Sequence, residues 1–369
     1  MTPPQTYRLA QILGTGAYGA VFQAVETNSG RTVALKKSRV SQRVKRTILR
    51  YESRILQLLQ GHPSIPAIYG YGQLPHFEYL AMELLGPSVK DCTTGPLAVT
   101  TVVRVVLQML SALEHIHTHG FVHRDIKPEN MLRSPTDPSK VILIDFGISR
   151  PIKPAPPTRY DPLKESKHIV GTLHWASLNA HDGIDLGPRD DLESLAYTAF
   201  FLLRGDLPWR TSGSHDESIK HSMQRIRASK AATGDKLGAS FPAEFDYLLD
   251  YSRRLEYDQM PDYAELKCRF TDLNGRVGGN DTEGPLNWSS VGISISEEYN
   301  SSEIAHIDDD TGSEGENDES NEGNFANSYR NWDIAAWDIQ GARDRSLTLP
   351  IEQVELADSS IPKIVEVTE

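Results

Sequence analysis

The chain has 369 residues and only two cysteines, Cys92 and Cys268, far apart in sequence. That excludes a disulfide-stapled fold and a Cys-rich zinc module, and it suits a reducing, intracellular setting. Neither cysteine has a base at a fixed spacing, so both read as ordinary thiols. An uninterrupted apolar run of about 18 residues is also missing, so no membrane span is expected. Met1-Thr2-Pro3-Pro4-Gln5 reads as neither a signal peptide nor a myristoylation site, and Val365 to Glu369 offer no prenylation Cys. The expected location is the cytoplasm, the nucleus or both. Basic residues are the scarcer sign: 38 Lys and Arg stand against 50 Asp and Glu, a net of -12. That total argues weakly against nucleic acid as a partner.

The shortage of basic residues is uneven. Residues 275–369 hold 21 acidic and 5 basic residues, a net of -16, which leaves 29 acidic and 33 basic residues in 1–274, a net of +4. The last quarter contains Asp308-Asp309-Asp310 and then a Gly/Ser/Asn/Glu-rich run from Thr311 to Asn324. Low hydrophobicity with high charge cannot offset chain entropy, so 275–369 is expected to be a largely disordered acidic tail. Two apolar islands, Trp332 to Ile339 and Ile361 to Val367, interrupt it.

Residues 1–85 read as strands and one helix. Tyr7 to Leu13, Ala20 to Glu26 and Thr32 to Lys36 are strand-like, with a turn at Asn28-Ser29-Gly30. From Gln42 to Leu59 the apolar residues Val44, Ile48, Tyr51, Ile55 and Leu58 recur at helical spacing, and Gly61-His62-Pro63 stops the run. Ile65 to Leu74 and Phe77 to Leu84 read as two more strands. Residues 86–274 differ in texture. An apolar helix is expected over Thr101 to His117, and short strands near Met131 and Val141. Further helices are expected at Asp191 to Leu203, Glu217 to Ser229 and Ala243 to Arg254. The plan is a small β-rich lobe joined to a larger helical one, an α+β fold.

Gly14-Thr15-Gly16-Ala17-Tyr18-Gly19 is a GxGxxG run. In a dinucleotide-binding fold a helix would follow at once. Here Ala20 to Val25 favour a strand, which makes the run a flap whose backbone can approach phosphates. Val33-Ala34-Leu35-Lys36 then places a lysine on an apolar strand, and a buried lysine needs an anionic partner. Glu52, on the inward stripe of the next helix, supplies one. Phe121-Val122-His123-Arg124-Asp125-Ile126-Lys127-Pro128-Glu129-Asn130 follows, with Asp145-Phe146-Gly147 beyond it. In this set Asp125 can take the proton of an attacking hydroxyl. Asn130 and Asp145 offer hard oxygens to Mg²⁺, and Lys127 can neutralise charge on a moving phosphoryl group.

The ordered set resembles the eukaryotic protein kinases over about residues 5–272. The resemblance implies a bilobal fold with ATP and Mg²⁺ in the cleft. Lys36 would hold the α- and β-phosphates under Gly14, Gly16 and Gly19. Leu13, Val21, Ala34 and Leu132 match the residues that sandwich adenine. Met82 matches the guard of the pocket behind it, and Glu83 to Leu85 match the hinge. Asp191 matches the helix aspartate that anchors the catalytic loop. Lys127 marks a Ser/Thr kinase. Gly171 to Asn179 stand where most kinases have Ala-Pro-Glu. With Arg189-Asp190-Asp191-Leu192-Glu193-Ser194-Leu195 and Pro261-Asp262-Tyr263, they resemble the casein kinase 1 family.

Two departures bear on substrates. His174 stands where that family carries an anion-binding Arg, and the basic cluster around 219–222 is thinned to Lys220 and His221. A weakened preference for pre-phosphorylated substrates is expected. Arg150, Lys153, Arg159, Lys164 and Lys167 outnumber Asp161 and Glu165 in 150–170, so a basic groove for acidic or phosphorylated protein segments is expected. The acidic tail could occupy that groove intramolecularly. Neither nucleic acid nor membrane is expected as a partner, and the chain is expected to be a monomer. His115, His117 and His119 alternate on one helix, and positions two apart do not share a face, so no metal site is expected there. Besides an active kinase, a pseudokinase scaffold and a small-molecule phosphotransferase remain open. The presence of Lys36, Glu52, Asp125, Asn130 and Asp145 favours the kinase.

Overall fold

A computed structural model describes residues 6–16, 19–40, 48–153, 157–159, 169–210, 218–233, 237–278 and 284–291. The small lobe begins with β1 (Tyr7–Gly16), β2 (Gly19–Glu26), β3 (Thr32–Arg39) and α1 (Ile48–Leu58), and closes with β4 (Ile68–Gln73) and β5 (Phe77–Glu83). Its strands form one antiparallel sheet in the order β1-β2-β3-β5-β4. The large lobe holds α2 (Val89–Cys92), α3 (Val99–Thr118), β6 (Phe121–Val122), β7 (Met131–Arg133), β8 (Val141–Leu143) and β9 (Arg150–Pro151). After these come α4 (Leu178–His181), α5 (Pro188–Arg204), α6 (Ile219–Ala232), α7 (Ala243–Arg254) and α8 (Tyr263–Arg276).

Residue alternation sorts the sheet into two faces. Leu35 and Val33 of β3 enter an outer apolar cluster with Tyr7, Phe77 and Tyr79. Ala34 and Lys36 therefore take the opposite face. Gly19 is obligatory at the β2 start. Its φ is +145°, and a Cβ there would lie 2.0 Å from the Lys37 carbonyl oxygen. In the large lobe, α5 is buried along its length except at Arg189 and Arg204. A helix buried on all sides is a central element, and α3 and α7 pack on it. α3 is long and apolar enough by composition to cross a membrane. Here its apolar side goes into the core against α5 and α8.

Boundaries shift for local reasons. The sequence places a helix over Gln42 to Leu59; α1 is described from Ile48 to Leu58, and the expected start at Gln42 lies outside the described residues. β4 starts at Ile68 rather than Ile65, because Ile65 donates its N–H to His62 O in a turn and Pro66 has none to give. α5 starts three residues earlier than expected, at Pro188, with the Asp190 carboxylate accepting from the N-cap Gly187 N–H. α6 starts at Ile219 because Ser218 caps it by accepting from His221 N.

The tail boundary needs correction. α8 runs past Asn274 to Arg276, and residues 284–291 lie as an extended strap on the large lobe. Leu286 is buried, with its N–H on the Pro138 carbonyl. Thr101 Oγ1 donates to Asn287 O, and Val291 N–H reaches Pro96 O. Pairing and an apolar anchor offset the entropy that composition alone left uncompensated. The runs 292–369, with both apolar islands, lie outside the described residues. Leu286→Ala is expected to lower stability by about 2–4 kcal/mol. A fall in the urea midpoint at unchanged slope would register it. An unshifted midpoint would mean the strap adds nothing to the fold.

Candidate active site

The site is built around one ammonium. Lys36, on the cleft face of β3, extends Nζ to Glu52 Oε2 at 2.8 Å and Oε1 at 3.0 Å, and to Asp145 Oδ1 at 2.8 Å. Burial alone would lower the Lys36 pKa, but the two carboxylates outweigh it and push the pKa up, so Lys36 stays charged. Glu52, on α1, is 1% exposed. Burial dominates there and raises its pKa, with Lys36 pulling the other way. Burial also raises Asp145, yet Lys36 holds its carboxyl below the ordinary range. The Asp145 side chain is 36% exposed, so this is the anion the cleft can offer to a ligand.

Asp125 and its neighbours form a second cluster. Lys127 Nζ lies 2.7 Å from Asp125 Oδ2 and 2.6 Å from Thr172 Oγ1. Thr172 donates to Asp125 Oδ1 through its N–H at 3.0 Å and its hydroxyl at 2.8 Å. Asn130 Nδ2 donates to the Asp125 carbonyl at 2.9 Å and to Oδ2 at 3.1 Å. With that amide nitrogen spent on Asp125, Asn130 keeps Oδ1 as its oxygen for a cation. Gly171 makes the Thr172 approach possible. Its φ is +86°, and a Cβ would stand 2.6 Å from the Arg124 carbonyl oxygen.

The backbone under this cluster is strained, and buried Asp191 of α5 fixes it. Arg124 and Asp145 have φ of 72° and 70°, the left-handed region that L-residues avoid. Asp191 accepts from His123 N at 2.7 Å, Arg124 N at 2.8 Å and His117 Nε2 at 2.9 Å. Burial would raise its pKa, but the His117 hydrogen bond and charge outweigh it and the pKa falls. Tyr263 of α8 meets the other nitrogen of His117 at 2.5 Å. Burial lowers the His123 pKa, so that ring is neutral, packed edge-on to Phe146.

The far end of the segment is tied to α5 and α6. Asp190 accepts from Ser177 Oγ at 2.6 Å and Asn179 Nδ2 at 3.0 Å. Glu193 accepts from Tyr197 at 2.6 Å and Arg253 at 3.2 Å. Fully buried Lys230 donates to the carbonyls of Leu173 and Ala176 at 3.0 and 2.6 Å. Burial lowers its pKa to about 7.

The nucleotide residues fall on one wall. In the strand register Gly14 lies opposite Val21, Val21 opposite Lys36, and Ala34 opposite Met82. Val21, Ala34, Lys36 and Met82 thus share a sheet face. Leu13 is 45% exposed beside a β1 irregularity. Leu132 of β7 bridges Ser88 just past the hinge. Gly14 and Gly16 have open space where a Cβ would stand, which fits backbone approach by phosphates; Ala17 and Tyr18 lie outside the described residues. At the expected hinge, the Glu83 N–H is spent on Ala67 O and its carboxylate on Ala67 N, which leaves the Glu83 carbonyl and the backbone of Leu85 as the groups that would meet an adenine edge. Open glycines, one cation and two hard-oxygen side chains fit a nucleoside triphosphate with a divalent ion.

Sequence reasoning left Thr172 without a role, although it follows Gly171 in a run already noted. His117, dismissed as a metal ligand, is the partner of Asp191. His115 Nε2 instead meets Leu59 O, and among the described residues no three His, Cys, Asp or Glu group for a metal. Nothing local marks Lys230, since its partners are two carbonyls 54 and 57 residues away and the His181 ring 49 residues away.

Asp191→Asn is expected to lower stability by about 3 kcal/mol at pH 7, because a charged acceptor of three donors is lost. The depressed pKa makes the wild-type contribution present at neutral pH, and it is lost as pH falls below about 3.9, the unfolded value. The gap between variant and wild type should therefore narrow on acidification. Denaturation at two pH values checks it, and a gap that widens in acid would contradict the assignment.

A family model described as the protein kinase domain matches residues 7–259, which span β1 to the end of α7 and contain both clusters. Such domains transfer phosphoryl groups from ATP with a divalent metal. The lysine–glutamate–aspartate contact across two lobes, the Asp125 cluster and this match have one reading: the chain belongs to the protein kinase domain family.

Proposed function

We propose that the chain is an active serine/threonine kinase of the casein kinase 1 type, using ATP and Mg²⁺ on acidic or phosphorylated protein segments. The observation that carries this reading is the assembled Asp125 cluster, with Lys127 within 2.7 Å of the base and Thr172 on the same carboxylate. Asp125 is placed to orient a hydroxyl and accept its proton. Lys127 offsets the negative charge that grows on the transferred group. Asn130 and Asp145 would hold the metal, which supplies electrostatic stabilisation of the phosphates when bound.

The family type is supported by how the segment is anchored. Ser177 and Asn179 pair with Asp190, so the Ser-Leu-Asn and Arg-Asp-Asp-Leu-Glu-Ser runs act as one unit where Ala-Pro-Glu is lacking. The acidic preference is supported by exposed Arg150 and Arg159; Lys153 is shared with Asp185, and Lys164 and Lys167 lie outside the described residues. Burial, then Arg210, Lys230 and Arg225, lower the His174 pKa, which keeps the ring neutral at pH 7.

The decisive test uses the full chain, labelled ATP, Mg²⁺ and casein, with Asp145→Asn as the blank. Wild type should label Ser and Thr, and Asp125→Asn should cut the rate about 10²–10⁴-fold. Labelling no greater than the blank would leave the scaffold reading instead. Primed and unprimed peptides should be used at similar rates because His174 adds no charge. His174→Arg should then lower KM for the primed peptide at least about tenfold, by a charge-assisted bond to phosphate. A large primed preference in wild type would contradict this reading.

A further inference from the structure

α1 carries Glu52, and its buried Leu49, Ile55 and Leu56 pack the helix into the core. Its first turn has no acidic residue. Two polar side chains outside the nucleotide and substrate contacts, one on β5 and one on α1 itself, add hydrogen bonds to that packing. Glu78 of β5 is 1% exposed, and its carboxylate accepts from Leu49 N at 3.0 Å and Arg50 N at 3.1 Å. Both N–H groups belong to the first described turn of α1, and this one carboxylate accepts from the two of them. Tyr71 of β4 donates to the same carboxylate at 3.1 Å. Tyr51, the residue before Glu52, donates its hydroxyl to the Ser149 carbonyl at 2.8 Å.

Ser149 lies four residues past Asp145. The adjacent carbonyl, that of Ile148, accepts from Arg124 Nε at 2.7 Å. Two consecutive carbonyls thus tie this segment to the catalytic loop on one side and to α1 on the other. The contacts close a ring: β3 to α1 through Lys36–Glu52, α1 to the 145–149 segment through Tyr51, and that segment back to β3 through Asp145–Lys36.

We infer that Tyr51 and Glu78 are positioning residues that pin α1 from its two sides and thereby hold the Lys36–Glu52 pair closed. The inference rests on the kinase reading for its effect on rate, but not for its effect on α1.

The test uses the full chain and Tyr51→Phe, which keeps the ring and removes only the hydroxyl. kcat for casein is expected to fall about 3–10-fold, the worth of one hydrogen bond. Because Tyr51 acts through Glu52, adding Tyr51→Phe to Glu52→Gln should cost less than twofold more. Amide exchange over Ile48 to Leu58 should quicken in Tyr51→Phe, and at Leu49 and Arg50 in Glu78→Gln. Unchanged kcat in Tyr51→Phe, or a full multiplicative loss in the double variant, would overturn the inference. Unchanged exchange would overturn it too. If wild type transfers no phosphate while exchange still quickens, the pin stands and the kinase reading is what falls.

Discussion

A buried ammonium is the constraint from which the rest follows. Lys36 cannot sit on an apolar strand without anions, because an unpaired buried charge costs far more than a hydrogen bond returns. One carboxylate comes from α1 and the other from a segment of the opposite lobe. The pairing therefore fixes three chain segments at once. Glu52 is too buried to serve a ligand, whereas Asp145 is open to the cleft. The same cation thus holds one anion for structure and presents the other for chemistry.

The large lobe solves the complementary problem with an anion. Asp191 is buried, and its acceptors are filled by two backbone N–H groups and a histidine. Those bonds hold Arg124 in a left-handed conformation that costs of order 1–3 kcal/mol. The strain places Asp125 beside Lys127 and Thr172. Since Asp191 sits on the most buried helix, the catalytic loop inherits its rigidity from the core. Lys230 performs a related task differently: its ammonium bonds two carbonyls and not a carboxylate. That leaves the cation weakly compensated and its pKa low.

Much of this was legible from residue order. β3, α7 and the strand–loop–strand around Gly14 followed from alternation, helical spacing and turn residues. A buried lysine needs a partner, which pairs Lys36 with Glu52 from the sequence alone, and the structure brings them to 2.8 Å. What stayed hidden depends on distant partners. Tyr51 looked like one apolar position in a helical stripe, and its hydroxyl finds a carbonyl 98 residues away. Glu78 looked like a polar residue on a strand. The strap at 284–291 is concealed by its acidic surroundings, since composition averages over the few residues, Leu286 and Trp288 among them, that seat it on the core.

Burial divides the charges of this molecule into two regimes. Glu52, Glu78 and Asp191 are each 1% exposed, and added salt screens such groups little. Arg150 and Arg159, beside the segment that would meet substrate, are exposed, and their attraction for an acidic peptide decays over about 8–10 Å at ordinary ionic strength. Salt should then weaken substrate capture while leaving the geometry of the transfer step intact. The separation follows from where the charges lie: those that shape the site are in the core, and Arg150 and Arg159 are in water.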